Sequence, residues 1–179
     1  GIHDRFATLS SPEGYASRYL AELAEAGDSR IVDIFREVIS SPFIQENSVV
    51  ISTMSEAIAE RGTQEDINFL FHYIQNPALE NSRSVVDALA SQSTQRTTDL
   101  LIELVSHREE EISERAARNL MRRLERDSLP ESTQIRIINS LTASVGQGNL
   151  RQDQLIIESI IRTGQTERHL DLVNLFISQ

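Results

Sequence analysis

The sequence contains no cysteine, no lysine and no tryptophan. Without cysteine there is no disulfide, no thiolate nucleophile and no cysteine-based metal site. That absence fits reducing and oxidising compartments alike. All 17 basic side chains are arginines. Two readings of the missing lysine stay open: composition bias of a genome or lineage, and avoidance of amine-directed modification. Alternating runs of Val, Ile, Thr and Tyr are missing, as is an Asn-Gly hairpin turn, so no strand signal exists. No apolar run reaches the ~18 residues that a membrane-spanning helix needs. A glycine-rich phosphate loop, a G-x-S-x-G motif and a Ser-His-Asp grouping of supportive spacing are all absent. The four histidines, His3, His72, His107 and His169, are scattered without ligand spacing. No metal site, cofactor or catalytic centre is therefore expected.

What is present is a chain of 179 residues, 39% of them apolar, with a formal net charge of −10. That length makes one domain, able to bury about 70% of its unfolded surface. The acidic balance argues against nucleic acid and anionic membranes as partners, and for solubility or basic partners. The chain begins Gly-Ile-His rather than with Met, and reads as a processed or excised piece of a longer one.

The dominant pattern is a repeat. Gly27 and Gly62 are 35 residues apart, as are Phe35 and Leu70, Ile39 and Ile74, and Pro42 and Pro77. AIAERGTQEDINFLFHYI aligns with ALASQSTQRTTDLLIELV at a shift of 31, and SIIRTGQTERHLDLVNLF near the end again has glycine, Gly164, in the turn. NLMRRLERDSLPESTQIRIINSL carries a longer turn between them. Each unit reads as helix A, a short turn, and helix B. In the second unit Val50, Met54 and Ile58 form one apolar stripe, with Val49 and Ala57 beside it. Ile67, Leu70, Phe71 and Ile74 form the stripe of the following helix. One hairpin cannot bury two stripes, whereas stacked neighbours can.

An apolar helix ending A-x-x-x-G, polar turn residues, and an apolar second helix of about four turns resemble the HEAT-type repeat. The resemblance covers residues 13–179. It implies an all-α, right-handed α-solenoid of about five antiparallel helix pairs. The expected units are 11–44, 45–79, 80–110, 111–147 and 148–179, one repeat domain after an N-terminal arm at 1–10. The chain departs from the family pattern in its turns. The turn aspartate is present only as Asp28, Thr63, Thr94 and Gln165 replace it, and the third unit has no turn glycine.

Taken in order, Ile2, Phe6 and Leu9 of the arm are expected to pack over the first helix. That helix begins at Ser11-Pro12-Glu13 and carries Tyr15, Tyr19, Leu20 and Leu23 as its stripe. The next buries Ile31, Ile34, Phe35 and Val38 and ends before Pro42. Phe43 and Ile44 are expected to tuck under the following hairpin. Val85, Val86, Leu89 and Ala90 form the stripe of the fifth helix, and Thr94 caps the sixth, which carries Leu100, Leu101, Leu104 and Val105. Ile112, Ala116, Leu120 and Leu124 point inward from the seventh. The eighth starts at Pro130 with Ile135, Ile138 and Leu141 inside and Ile137 beside them, and Gly146 and Gly148 then break the chain. Leu155, Ile156, Ile160 and Ile161 belong to the ninth, and Leu172, Val173, Leu175 and Phe176 to the tenth. The apolar finish lacks the polar capping helix that a solenoid end needs: either the last helix is only half apolar, or the chain continues past Gln179, or this end docks on another surface.

Two exposed features are candidate sites. The family resemblance implies that each second helix lines a concave face. Aligning those helices by their core residues gives one column of Asp33, Asn68, Asp99 and Arg136, and a second of Glu37, His72, Glu103, Ser140 and Asn174. Within a helix the two members lie at i and i+4, on one face. Such an acidic strip would attract an Arg/Lys-rich protein or peptide in a salt-dependent way. The alternative is a plain solvated helix face. The other feature is a stripe of Arg115, Arg118, Arg122 and Arg126, within about 80° of one another on one helix, with Arg123 at its edge. It would hold an anion or an acidic partner. Glu111 and Glu114, four residues before Arg115 and Arg118, offset part of that charge, each pair contributing about 0.2–0.5 kcal/mol.

The sequence therefore predicts a non-catalytic protein-interaction scaffold that binds a partner protein or peptide on an acidic concave face. The open alternatives are a lyase-like or enzyme-associated repeat protein acting on a small molecule, and a structural segment of a larger solenoid. Two enzyme families share the implied architecture. Helical-repeat alkylpurine glycosylases need a basic, aromatic channel, which this acidic, tryptophan-free chain does not offer. Bilin lyases with short repeats match through no specific motif.

Overall fold

The computed structural model describes residues 15, 18–20, 22–23, 26–28, 30–39, 41–126, 128–146 and 150–162. Among them all regular structure is helical. The arm at 1–10, the start at Ser11-Pro12-Glu13, Gly148, Gly164, and the final helix with Leu172, Val173, Asn174, Leu175 and Phe176 lie outside the described residues. The chain divides into two compact units, Gly1–Gln92 and Ser93–Gln179. The boundary falls inside the third expected hairpin.

The N-terminal unit contains α1 (Ile31–Val38), α2 (Pro42–Glu46), α3 (Ser48–Arg61), α4 (Gln64–Gln75) and α5 (Ser82–Ser91). α3 is its centre, with α1, α2, α4 and α5 all packed against it and α4 also against α5. Val50, Met54 and Ile58 are buried as the 3.6 period requires. A second row, Ile51, Ser55 and Ala59, is buried beside them. α3 thus has a wide buried surface rather than a single stripe, because neighbours cover it on more than one side.

Local chemistry sets the ends of α3 and α4. Asn47 Oδ1 accepts from Val50 N at 3.2 Å, and Gly62 stops the helix in the left-handed region at φ +64°. Thr63 then starts α4, its Oγ1 accepting from Asp66 N at 3.1 Å. Threonine therefore does the capping that aspartate does elsewhere in such turns. Asp66 is only 3% exposed, and the Nε of Arg61, from the end of α3, lies 3.4 Å from its Oδ2. A carboxylate in the first turn also faces the positive end of the helix dipole. At the Gly27-Asp28 turn, Arg30 donates to Asp28 through its side chain at 2.7 and 3.1 Å and its amide at 2.9 Å. These side-chain and backbone hydrogen bonds hold the Asp28 carboxyl down at about 2. α5 ends at Gln92 with extended backbone (φ −92°), so the third hairpin has no use for a glycine there.

Phe35 of α1 is fully buried, stacked on Tyr73 at 6.0 Å and edge-on to Phe69 at 5.9 Å. Tyr73 hydroxyl donates to Glu80 O at 2.7 Å, and burial pushes its phenol up to about 12, so the proton stays in that bond. Gln45 of α2 ties the same region together. Its Nε2 donates to Ile39 O and to Tyr73 Oη, its Oε1 accepts from Glu80 N, and its carbonyl accepts from Asn81 Nδ2 at 2.6 Å. Asn81 adopts φ +59° to make that reach.

Several expectations are corrected here. Residues 42–46 form a helix with Pro42 at its first position, not a plain connection. Ile44 is buried as expected, while the side chain of Phe43 lies outside the description. Tyr15 and Tyr19 are 61% and 59% exposed, so only Leu20 and Leu23 of that stripe face the core. Tyr73 rather than Phe71 completes the buried face of α4, because its ring stacks on Phe35 and its hydroxyl finds a carbonyl.

The C-terminal unit contains α6 (Gln95–Leu104), α7 (Glu110–Arg126), α8 (Glu131–Ser144) and α9 (Leu150–Arg162). α7 packs against α6, α8 and α9, α8 also packs against α6 and α9. A capping box opens α6: Thr94 Oγ1 accepts from Thr97 N, and Thr97 Oγ1 accepts from Thr94 N. Leu100, Leu101, Leu104 and Val105 are buried as expected. On α8 Ile137, Ile138 and Leu141 are buried, and only Ile135, half-buried, departs from the expected set. Pro130 precedes α8 as its cap rather than opening it. On α9 Ile156, Ile157 and Ile160 are buried, whereas Leu155 and Ile161 are exposed.

Arg123 is the largest departure. It is 4% exposed, not at the edge of a solvent stripe. Its Nη1 donates to Thr98 Oγ1 and its Nη2 to Thr97 Oγ1 at 3.1 Å, both on α6, and Nη1 lies 3.5 Å from Thr94 O.

Candidate functional site

In the N-terminal unit the predicted acids stand on the face shared by α1 and α4. Asp33 and Glu37 are exposed and one turn apart on α1. Arg36, between them, reaches to α4: its Nη2 lies 3.0 Å from Glu65 Oε1 and its Cζ 5.0 Å from the Phe69 ring centre. Its Nη1 is 3.9 Å from Asp33 Oδ1. Two carboxylates, Asp33 and Glu65, thus flank one guanidinium, and the exposed Glu37 lies one turn along α1 from Asp33. On α4, Gln64 Nε2 donates to Asn68 Oδ1 at 2.9 Å. His72 Nδ1 lies 2.6 Å from Asn68 O; a carbonyl only accepts, so Nδ1 is the donor in this bond. Glu65 and Phe69 were not among the residues singled out by the sequence. Their signal was the i, i+4 spacing between them, with Glu65 one turn before Asn68 and Phe69 next to it.

In the C-terminal unit α6 and α8 lie with their columns in register. Thr133 Oγ1 donates to Gln95 Oε1 at 3.0 Å, Arg136 Nη1 lies 2.8 Å from Asp99 Oδ1, and Ser140 Oγ donates to Ile102 O at 3.4 Å. The predicted neighbours Asp99 and Arg136 are brought together, and their charges cancel. Gln95 Nε2 also donates to Asp99 Oδ1 at 2.8 Å. Glu103 is exposed one turn further along α6. The acid excess is therefore smaller here than on α1 and α4. A neutralised pair of exposed side chains contributes about 0–1 kcal/mol to stability.

The arginine stripe runs along α7. Arg118, Arg122 and Arg126 are exposed and Arg115 is half-buried. Arg118 Nη2 is 4.0 Å from Glu114 Oε2, and Arg122 Nη1 donates to Asn119 Oδ1 at 3.4 Å. Beside this stripe a groove of about 260 Å³ opens between α7 and α9, lined by Glu114, Arg118, Met121, Gln152 and Leu155. Towards the C-terminal ends of the two helices, Arg162 bridges Glu125 at 3.2 Å and Glu158 at 3.9 Å.

Among the described residues no three His, Asp or Glu side chains gather as a metal site, and no helix is long and apolar enough to cross a membrane. Comparison with known protein families and with curated proteins gives no match to this chain.

Proposed function

We propose that this protein is a non-catalytic, HEAT-like helical-repeat scaffold that binds a basic segment of a partner protein on its second-helix faces. The α-solenoid reading is supported by the packing order within each unit. α3 packs on its hairpin partner α4 and on α5, and α7 packs on α8 and on α9, so first helices lie against first helices. In the C-terminal unit the second helices α6 and α8 do likewise. Neighbour and next-but-one contacts are what stacked hairpins make.

The observation that carries the binding reading is the α1–α4 face, where Asp33, Glu37 and Glu65 outnumber Arg36 and a half-buried aromatic ring underlies them. Arginine or lysine side chains of a partner would meet exposed carboxylates there at little desolvation cost. Attraction of this kind speeds encounter and is screened by salt.

The test uses a fluorescein-labelled peptide alternating arginine and serine, followed by anisotropy with the full chain. Asp33→Arg/Glu37→Arg should weaken binding about tenfold, since each exposed pair is worth up to about 1 kcal/mol and reversal adds repulsion. Glu56→Arg/Glu60→Arg on α3 changes net charge equally and should weaken it far less. Equal losses from the two double variants would reduce the effect to net charge and overturn the site.

A further inference from the structure

The groove between α7 and α9 has the marks of a second docking surface, of opposite charge preference to the α1–α4 face. Leu155 on its wall is 38% exposed, a large apolar side chain left in solvent on a helix whose Ile156, Ile157 and Ile160 are buried. Met121, unbranched and adaptable, forms the opposite wall. Arg118 stands at the rim, and Arg122 and Arg126 continue from it along the exposed side of α7. Arg118 Nη2 lies 4.0 Å from Glu114 Oε2, and Glu114 also lines the groove. Further along the two helices Arg162 bridges Glu125 and Glu158, so the notch has a salt-bridged flank on that side.

Size decides between occupants. At about 260 Å³ the notch is smaller than the ~300–1,000 Å³ of typical small-molecule sites. It suits one or two apolar side chains presented by a larger body. Charge decides the rest: a body lying along α7 with its apolar residues in the notch sets its flanking side chains against Arg118, Arg122 and Arg126. We infer that this groove docks an acidic amphipathic helix of a partner protein, with leucine-type anchors between Met121 and Leu155 and carboxylates on the arginine ridge. This is a helix-in-groove mode, with the charges setting orientation.

The probe is a synthetic helical peptide with leucines on one face flanked by glutamates, alongside a twin with lysine at every glutamate position. Methyl spectra of the full chain would follow Met121 and Leu155. The expected result is saturable shifts at both methyls with the glutamate peptide, and binding at least tenfold weaker with the lysine twin. Arg118→Glu/Arg122→Glu should cost the glutamate peptide at least tenfold, and Leu155→Asp should abolish the shift at Met121. These side chains are exposed, so unchanged melting curves would show that the fold is intact; Arg122→Gln alone, with a smaller loss, serves should the double variant not fold. Equal binding of both peptides, shifts elsewhere, or no binding would overturn the inference. So would binding to phosphatidylglycerol vesicles without binding to the peptide, or occupation by a second copy of the chain in sedimentation. The α1–α4 variants leave this readout unchanged, so the two surfaces fail or succeed separately.

Discussion

Phe35→Ala should destabilise the N-terminal unit by about 4 kcal/mol, within the 3–5 kcal/mol range for emptying a fully buried phenylalanine site. The ring has no exposure and is held on two sides, by Tyr73 and by Phe69. Its loss leaves Tyr73 without a stacking partner beneath the Gln45–Glu80–Asn81 network, so collapse around the cavity would break hydrogen bonds as well as contacts. Arg36 would also lose its support, because Phe69 is the surface it lies on. All three tyrosines, Tyr15, Tyr19 and Tyr73, belong to residues 1–92, and there is no tryptophan. Tyrosine fluorescence in a urea titration therefore reports on this unit. A shift corresponding to less than about 1 kcal/mol would mean that the site collapses freely, contrary to the packing described.

The second large effect separates charge from volume at Arg123. Arg123→Ala should cost about 3 kcal/mol, chiefly through the cavity it leaves. Arg123→Met should cost about 1 kcal/mol or less. The reason lies in what remains. Thr97 Oγ1 still accepts from Thr94 N and donates to Thr94 O, and Thr98 Oγ1 still donates to Thr94 O. The threonines are satisfied without the guanidinium, so an unbranched apolar chain that fills the space preserves most of the stability. Circular dichroism in urea distinguishes the outcomes. Equal destabilisation by alanine and methionine would show that the hydrogen bonds, not the packing, matter here.

The helices and their turns were legible because their causes are local. Gly62 with Thr63, Thr94 with Thr97, and the stripe Val50–Met54–Ile58 all lie within one or two turns of sequence. The Asp99–Arg136 pair was legible through the repeat, which set the columns in register. Arg123 was misplaced because composition was allowed to outweigh phase. It lies three residues after Leu120 and seven after Ala116, squarely on the buried stripe of α7, and its acceptors sit on another helix. Gln45 is similar: its partners Tyr73, Glu80 and Asn81 are 28 to 36 residues away, so no local period marks it. Tyr15 and Tyr19 fit a helical stripe, yet a tyrosine can point to water at little cost. Leu155 was assigned to the core by the same periodicity, and its exposure beside the arginine ridge became visible only with α7 and α9 placed side by side.

The proposed working surface is the carboxylate-rich α1–α4 face. Amide proton–nitrogen correlation spectra of the full chain, titrated with the arginine–serine peptide at low and at high salt, test it most directly. Saturable shifts at Asp33, Glu37, Glu65, Asn68 and His72 are expected at low salt, fading as salt screens the charges, with α3 amides unmoved. Shifts spread evenly over the acidic residues of the chain, or absent from α1 and α4, would contradict it.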